Sequence, residues 1–235
     1  MEIVEKESEL FSQWANGRED FVPDGVVSEQ DYIASQLKLC FILKEVNDEG
    51  GGGWDLREFI KEGACGKTWN NITRWVICIN DLYTDTPWSS IESINEEQRA
   101  KLLRPICAMN LKKYPGASKT VTSELQDHVE RDQSFIRKQY GFYNPDLTIC
   151  CGTGWDFRYA LGLSDEQTFR TSNGIEWFKN IDGAPVIVYK HPQAWVSGAV
   201  IVYELIVAIR EIFALQIYQP EKFNAAPSLK KIRRL

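Results

Sequence analysis

Four short apolar runs, separated by segments with helical periodicity, constrain the fold of this chain more than any other feature. They span residues 37–43, 105–111, 147–151 and 186–189. Each run is bounded by polar or turn-forming residues and is shorter than a typical helix, so each is predicted to be a buried β-strand. Strands that alternate with helices form parallel sheets with helices on both faces. The pattern therefore predicts a three-layer α/β/α domain with a central four-stranded, mainly parallel sheet.

Apolar periodicity and capping residues predict the helices between these runs. The predicted helices cover residues 5–15, 28–36, 54–61, 69–82, 95–103, 118–140 and 196–218. A β-hairpin is predicted over residues 169–178, because Asn173-Gly174 favours a tight turn. We divide the chain into an N-terminal helical segment packed on the core (1–36), the α/β domain (37–218) and a basic C-terminal tail (219–235).

Composition excludes several functional classes. No apolar run is long enough to span a membrane, and the acidic N-terminus lacks a signal-peptide pattern, so a cytoplasmic protein without membrane partners is expected. The six cysteines form no C-x-x-C pair, so neither a metal site nor another cofactor is expected. A net charge of −6 argues against a wide basic surface for nucleic acid but leaves room for a local basic groove.

The predicted strands end in residues that carry chemistry. Glu45, Asn47 and Asp48 follow the first strand, Asn110 ends the second, and His191 follows the fourth. In an open α/β sheet, functional groups collect at the carboxyl ends of the strands. Carboxylates, an amide and a histidine are therefore expected to converge on one edge. Taken singly, a strand-end asparagine is more often a turn former, and a His-Pro pair is usually structural.

Four successive glycines, residues 50–53, follow the first strand end. They cannot belong to a regular element, because ordering them costs too much backbone entropy. One interpretation is a flexible surface loop; the other is a backbone that closely approaches a phosphate or a flat ligand. The lysine of a phosphate-binding P-loop is missing here. The sequence leaves both interpretations open.

Two motifs resemble the uracil-DNA glycosylase superfamily, and a third match is weaker. NLKKYPG, residues 110–116, resembles the strand-end asparagine and downstream Pro-Gly of that family, and His191-Pro192 resembles its H-P-S motif. The weaker match is LKEVND, residues 43–48, before the glycines. Together the matches follow the family order over residues 37–208. The chain departs from the family pattern at three positions: Val46 replaces a catalytic Asp or Asn, Asn47 replaces a proline, and Gln193 replaces the serine.

The resemblance implies a role for each matching residue. Asn110 would read the edge of an extruded base, with Trp54 or Phe59 stacking on it. His191 would donate a hydrogen bond to the departing base. Glu45, Asp48 or Asn47 would position the attacking water, with Glu45 preferred and Asp48 second. Contacts to the DNA backbone would come from the remaining matched positions: Gly51, Gly52, Lys112, Lys113, Pro115, Gly116 and Gln193.

The expected function is a DNA glycosylase that flips out uracil or a modified base, in DNA repair or in defence against phage with modified DNA. A bulkier base than uracil would suit the glycine-rich first loop. The alternative is a catalytically inactive module that binds DNA or a protein partner, which Val46 and the acidic charge favour. A nucleotide-binding α/β enzyme is a third interpretation. The sequence holds no signal for an oligomeric state.

Overall fold

The computed structural model describes residues 2–117 and 120–215. In chain order the helices of this part are α1 Ile3–Ala15, α2 Glu29–Ala34, α3 Leu56–Lys61, α4 Lys67–Asn80, α5 Trp88–Ile91, α6 Glu96–Leu102, α7 Thr122–Tyr143, α8 Gly154–Leu161 and α9 Gly198–Ala214. The strands are β1 Gly25–Val26, β2 Leu39–Leu43, β3 Ile106–Asn110, β4 Leu147–Cys151, β5 Phe169–Arg170, β6 Glu176–Lys179 and β7 Pro185–Tyr189.

The sheet is mixed and has seven strands in the order β1-β3-β2-β4-β7-β6-β5. The four predicted strands are its centre and run parallel to one another, with register pairs such as Leu43↔Asn110 and Cys151↔Tyr189. The prediction of a four-stranded sheet is wrong, because β1 adds antiparallel at one edge and the β5–β6 hairpin at the other. The hairpin predicted over residues 169–178 is confirmed as β5 and β6, although its place in the sheet was not predicted. β1 is too short to stand out as an apolar run.

Helices cover both faces of the sheet, so the α/β class and the layering agree with the prediction. Side chains alternate along β2: Leu39, Phe41 and Leu43 join an apolar cluster with α4 and α9, whereas Cys40 and Ile42 join one with α1, α7 and α8. This two-sided burial follows from the period of two in a strand. It explains why the central strands are apolar throughout rather than alternating with polar residues.

Several helices begin at other residues than predicted. α3 begins at Leu56 rather than at Trp54, and Asp55 caps it by accepting a hydrogen bond from the Arg57 amide at 2.8 Å. α4 begins at Lys67 rather than at Trp69. Asn95 caps α6 in a capping box, as predicted. Residues 154–161, where the pattern predicts no element, form α8. The predicted start of the long polar helix at residue 118, the last part of the 196–218 helix and the tail 219–235 lie outside the described residues.

The N-terminal segment is part of the core. Leu10, Phe11 and Trp14 of α1 are buried against the layer that contains α7, and Val26 pairs with β3. Glu7 has no exposed surface and binds the Arg57 guanidinium at 2.6 Å. Among the described residues, no helix is long and apolar enough to cross a membrane.

Candidate functional site

A cavity of about 580 Å³ opens at the carboxyl ends of the parallel strands. Its walls come from the ends of β2, β3 and β7 and from α3 and the start of α4. Eight of the predicted site residues line it: Glu45, Asn47, Asp48, Trp54, Phe59, Asn110, His191 and Gln193. The convergence expected from the strand ends is therefore present, because parallel strands bring their carboxyl ends to one edge.

Asn110 is held by its main chain while its amide lines the cavity. Its N–H donates to Asp24 Oδ2 at 2.7 Å, and its carbonyl accepts from Lys113 Nζ at 2.7 Å. Within the described part of the chain the Asn110 carboxamide has no hydrogen-bond partner, although the residue is only 2 % exposed. A nearly buried amide with a free donor and a free acceptor suits the recognition of a ligand with the complementary pair.

Lys113 does not face solvent, which contradicts its predicted contact with the DNA backbone. Its side chain has no exposed surface and binds Asp24 Oδ1 at 2.7 Å. Asp24 also accepts from Gln139 Nε2 at 2.8 Å. Because the Lys113 ammonium is held in a buried ion pair with Asp24, it cannot bind phosphate. It supports the main chain of Asn110 instead.

Lys112 is also removed from the predicted DNA surface. Its Nζ lies 2.9 Å from Glu45 and 2.6 Å from Glu124, and its side chain is 5 % exposed. Glu45 is buried to the same degree, so the preferred water-positioning carboxylate is ion-paired. The pair fixes the carboxylate at the cavity wall.

Gly116 makes room for Glu45 rather than for a phosphate. Its amide donates to Val46 O at 2.9 Å, and its carbonyl accepts from the Asp48 amide at 3.1 Å. A Cβ at this position would lie 2.4 Å from Glu45 Cδ. Neither the main chain nor the open face of Gly116 is therefore available to DNA, which contradicts the predicted contact.

We expect Gly116→Ala to lower the free energy of unfolding by about 1–3 kcal/mol, because the methyl group must displace a buried, ion-paired carboxylate. Urea denaturation measures the change. Gly141→Ala is the matched control: Gly141 lies in α7 with nothing within 4 Å of its added Cβ, so a gain of up to about 1 kcal/mol is expected. Unchanged stability in Gly116→Ala would contradict the packing of Glu45 against Gly116.

The glycine loop wraps around the Asp48 carboxylate. Gly52 N–H and Trp54 Nε1–H donate to Asp48 Oδ2 at 2.9 and 2.7 Å, and Gly51 N–H donates to the Asp48 carbonyl at 2.9 Å. The bond from Trp54, followed by that from Gly52, lowers the pKa of Asp48. The amides of Gly51 and Gly52 are thus occupied within the loop, which contradicts their predicted phosphate contacts.

Close packing explains the glycines at these positions. Gly52 has a φ of 104°, and a Cβ there would lie 2.4 Å from the Asp20 carbonyl oxygen and 2.9 Å from Pro115 Cγ. The loop is therefore ordered against residues 19–20 and 115, and Pro115 packs on it instead of lining the cavity. The close approach that Gly52 and Gly53 permit is therefore to other parts of the protein, while Gly50, Gly51 and Gly53 lie at the surface.

An aromatic pair forms one cavity wall. Trp54 and Phe59 meet edge to face, with ring centroids 5.7 Å apart and planes at 62°. Both are half-buried, and the bond from Trp54 to Asp48 fixes the indole. Such a wall offers a rigid apolar face to a planar ligand.

His191 lines the cavity as a neutral imidazole with a defined tautomer. Its Nδ1 accepts the Gln193 N–H at 3.1 Å, so in the neutral ring the proton is on Nε2. Burial, helped by the positive charge of Lys44, lowers the pKa of His191 below its ordinary value. The ring is therefore neutral at pH 7, with Nε2–H available as a donor.

The start of α4 holds the loop that carries His191. Asn71 Nδ2 donates to the Pro192 carbonyl at 2.6 Å, and Thr68 Oγ1 accepts from Gln193 Nε2 at 2.8 Å. Gln193 is exposed, so the structure leaves a contact with DNA possible through the rest of its side chain. The clearest contribution of Gln193 is its backbone N–H, which donates to His191 Nδ1 and so fixes the tautomer of the ring.

Sequence reasoning missed Lys44 and Asn71. Lys44 lines the cavity directly after β2, next to the predicted Glu45. Asn71 is fully buried on the helix face that carries Trp75 and Ile79. A polar residue at that spacing on an apolar stripe was the available signal, because a buried amide requires a hydrogen-bond partner.

Comparisons with known proteins assign this chain to no family. No protein-family model matches it, and a search of curated proteins found no similar sequence. The resemblance to the uracil-DNA glycosylase superfamily therefore rests on the sequence motifs alone. Among the described residues, no group of acidic, histidine or cysteine side chains is arranged to hold a metal ion, and the cysteines are free thiols.

Proposed function

We propose that this protein is a DNA glycosylase that extrudes a uracil or modified base into the cavity and hydrolyses its N-glycosidic bond. One observation carries the proposal: the unpaired Asn110 amide and the Nε2–H side of neutral His191 line the same cavity. An amide can recognise the Watson–Crick edge of a flipped base, and a neutral donor can stabilise the departing base.

The proposed reaction is hydrolysis at C1′ of the deoxyribose. Water adds its oxygen to C1′, the C1′–N bond breaks, and the electron pair leaves with the base. His191 Nε2–H donates a hydrogen bond to the base oxygen on which negative charge accumulates. The released base anion then takes the proton that the water loses. The protein's part is to orient the base and stabilise its charge.

The carboxylates act on the sugar side in this proposal. Glu45 is held by the Lys112 pair and lines the cavity, so its carboxylate stabilises positive charge on the sugar and accepts a hydrogen bond from the attacking water. Asp48 is bonded to Trp54 and Gly52 and shapes the wall. We therefore keep Glu45 as the preferred water-positioning group and assign Asp48 to loop structure; Asn47, which is exposed at the cavity, is the other polar candidate.

The size of the cavity supports a modified base. At about 580 Å³ it falls within the range of pockets that enclose whole small-molecule ligands. The aromatic wall of Trp54 and Phe59 suits stacking on such a base. Removal of modified bases would fit a role in repair or in defence against phage with modified DNA.

An inactive module that binds DNA or a protein partner is the second candidate. Val46 stands at the position where the resembling family has a catalytic carboxylate or amide, and its side chain belongs to the apolar core. Glu45 is moreover ion-paired. A nucleotide-binding enzyme that uses the glycine loop has less support, because the amides of Gly51 and Gly52 bond to Asp48.

Base release distinguishes the two candidates. The protein is incubated with single- and double-stranded oligonucleotides that carry uracil or bulky modified cytosines, and abasic sites are detected by alkaline strand cleavage. We expect cleavage at one class of base and a loss of that cleavage in Asn110→Ala. DNA binding without abasic sites on any substrate would favour the inactive module.

The pH profile of base release tests the state of His191. Because the pKa of His191 lies below the ordinary value of 6.5, the neutral ring persists as the pH falls, and half of the activity should be lost only below pH 6.5. Lys44→Met removes a positive charge that lowers this pKa, so it should move the acid limb to higher pH. An acid limb above 6.5 in the unmodified protein would contradict a neutral His191 donor.

A further inference from the structure

Two tryptophans project into solvent at the edge of the sheet that carries the cavity. The Trp195 side chain is fully exposed, at 103 % of the reference area, and Trp155 is 48 % exposed. Trp155 is the second residue of α8, directly after β4, and Trp195 lies between β7 and α9. Tryptophan joins a large apolar ring to a polar N–H and is enriched at binding surfaces.

Each tryptophan follows one of two neighbouring strands, β4 and β7, whose ends meet at the His191 segment. β4 and β7 are neighbours in the sheet, and the Gly152 amide donates to the Tyr189 carbonyl at 2.8 Å where both strands end. A Cβ on Gly152 would lie 3.5 Å from His191 Cβ. Trp155 follows this contact on the β4 side, and Trp195 follows His191 on the β7 side.

A positive charge accompanies each tryptophan. The Arg158 guanidinium lies 5.5 Å from the centre of the Trp155 ring. Lys67 Nζ donates to the carbonyl of Ala194, the residue before Trp195, at 3.0 Å. Lys44 lines the cavity. The Arg158 guanidinium also donates to the carbonyls of Leu163 and Glu166. Aromatic side chains along a positively charged groove bind unpaired bases and their connecting phosphates.

We propose that this edge binds single-stranded DNA, with Trp155 and Trp195 stacking on unpaired bases on either side of the nucleotide at the cavity. The proposal deepens the proposed function and rests on it for the identity of the polymer. A duplex keeps its bases stacked and is bound mainly through many phosphate contacts. The net charge is −6, and Lys112 and Lys113 are held in buried ion pairs. Stacking on an unpaired strand therefore fits this surface better than phosphate contacts to a duplex.

Fluorescence anisotropy with undamaged oligonucleotides tests the proposal without requiring base removal. A labelled single strand of about 12 nucleotides is compared with its duplex, using the full chain. We expect the single strand to bind at least about tenfold more tightly. Trp155→Ala and Trp195→Ala should each weaken its binding by about 5- to 150-fold, the range for loss of one stacked base.

Tyr83→Ala is the matched control. Tyr83 is 47 % exposed but follows the far end of α4, whose first turn lies at the cavity. We expect this substitution to leave the affinity unchanged within about twofold, as for other exposed residues remote from a binding site.

Three outcomes would overturn the proposal. The first is equal affinity for the duplex, and the second is tryptophan variants that bind the single strand like the unmodified protein. The third is that the protein binds no DNA and instead self-associates in sedimentation, with the tryptophan substitutions abolishing that self-association. The last would make the surface a contact between copies of the chain. Base release from duplex DNA by fully active tryptophan variants would reject the single-strand surface and keep the glycosylase. Tryptophan-dependent binding of single strands without base release on any substrate would keep the single-strand surface and reject the glycosylase.

Discussion

His191→Ala should lower the rate constant of base release by about 10²- to 10³-fold, with little change in the affinity for DNA. The reason is that the Nε2–H donor is aimed at charge that appears only as the glycosidic bond breaks, and a preorganised donor of this kind contributes about 3–4 kcal/mol. The Gln193 amide sets this tautomer in advance. Single-turnover kinetics on the base identified in the substrate panel measure the effect.

Two comparisons separate leaving-group stabilisation from a structural effect. His128→Ala replaces the other histidine of the chain, which lies on α7 and does not line the cavity, so base release should be unchanged. A substrate whose base carries an electron-withdrawing substituent leaves more easily, so the deficit of His191→Ala should shrink on it. An equal deficit on both substrates, or full activity in His191→Ala, would reject the assigned role.

Lys113→Met should lower the free energy of unfolding by about 3–5 kcal/mol, because it leaves the Asp24 carboxylate buried without its counter-charge. Both side chains are fully buried, and Lys113 Nζ lies 2.7 and 2.8 Å from the two oxygens of Asp24. The substitution also removes the bond to the Asn110 carbonyl. Urea denaturation measures the loss.

A double-mutant cycle and a surface control complete this test. Adding Asp24→Asn to Lys113→Met removes the uncompensated charge, so the double variant should recover much of the stability. Lys61→Met breaks the exposed pair with Glu58 and should cost less than about 1 kcal/mol. A loss of under about 1 kcal/mol in Lys113→Met would show that the buried pair is not needed for the fold.

The four central strands and the β5–β6 hairpin could be predicted from the sequence, and the edge strand β1 could not. Apolar runs buried on both faces show the four parallel strands directly, because their period and length have few alternatives. The Asn173-Gly174 turn predicts the hairpin that forms β5 and β6. β1 has only two residues, so nothing in its composition exceeds that of a loop. Its pairing is decided by backbone groups that the folded core brings alongside β3.

The candidate site divides in the same way. Strand patterns in the sequence are enough to place Glu45, Asn110 and His191 at the ends of parallel strands, and the common direction of those strands brings them to one cavity. Which polar groups are free to act depends on the packing of the whole fold. Lys112, Lys113, Gly51, Gly52 and Gly116 resemble DNA contacts in a linear motif, but each is engaged by a partner in the fold. The partners of Lys112, Lys113 and Gly116 are distant in the chain and depend on the complete packing, which a local pattern does not contain. The bonds of Gly51 and Gly52 to Asp48 are local, but they require a loop conformation that the composition does not specify.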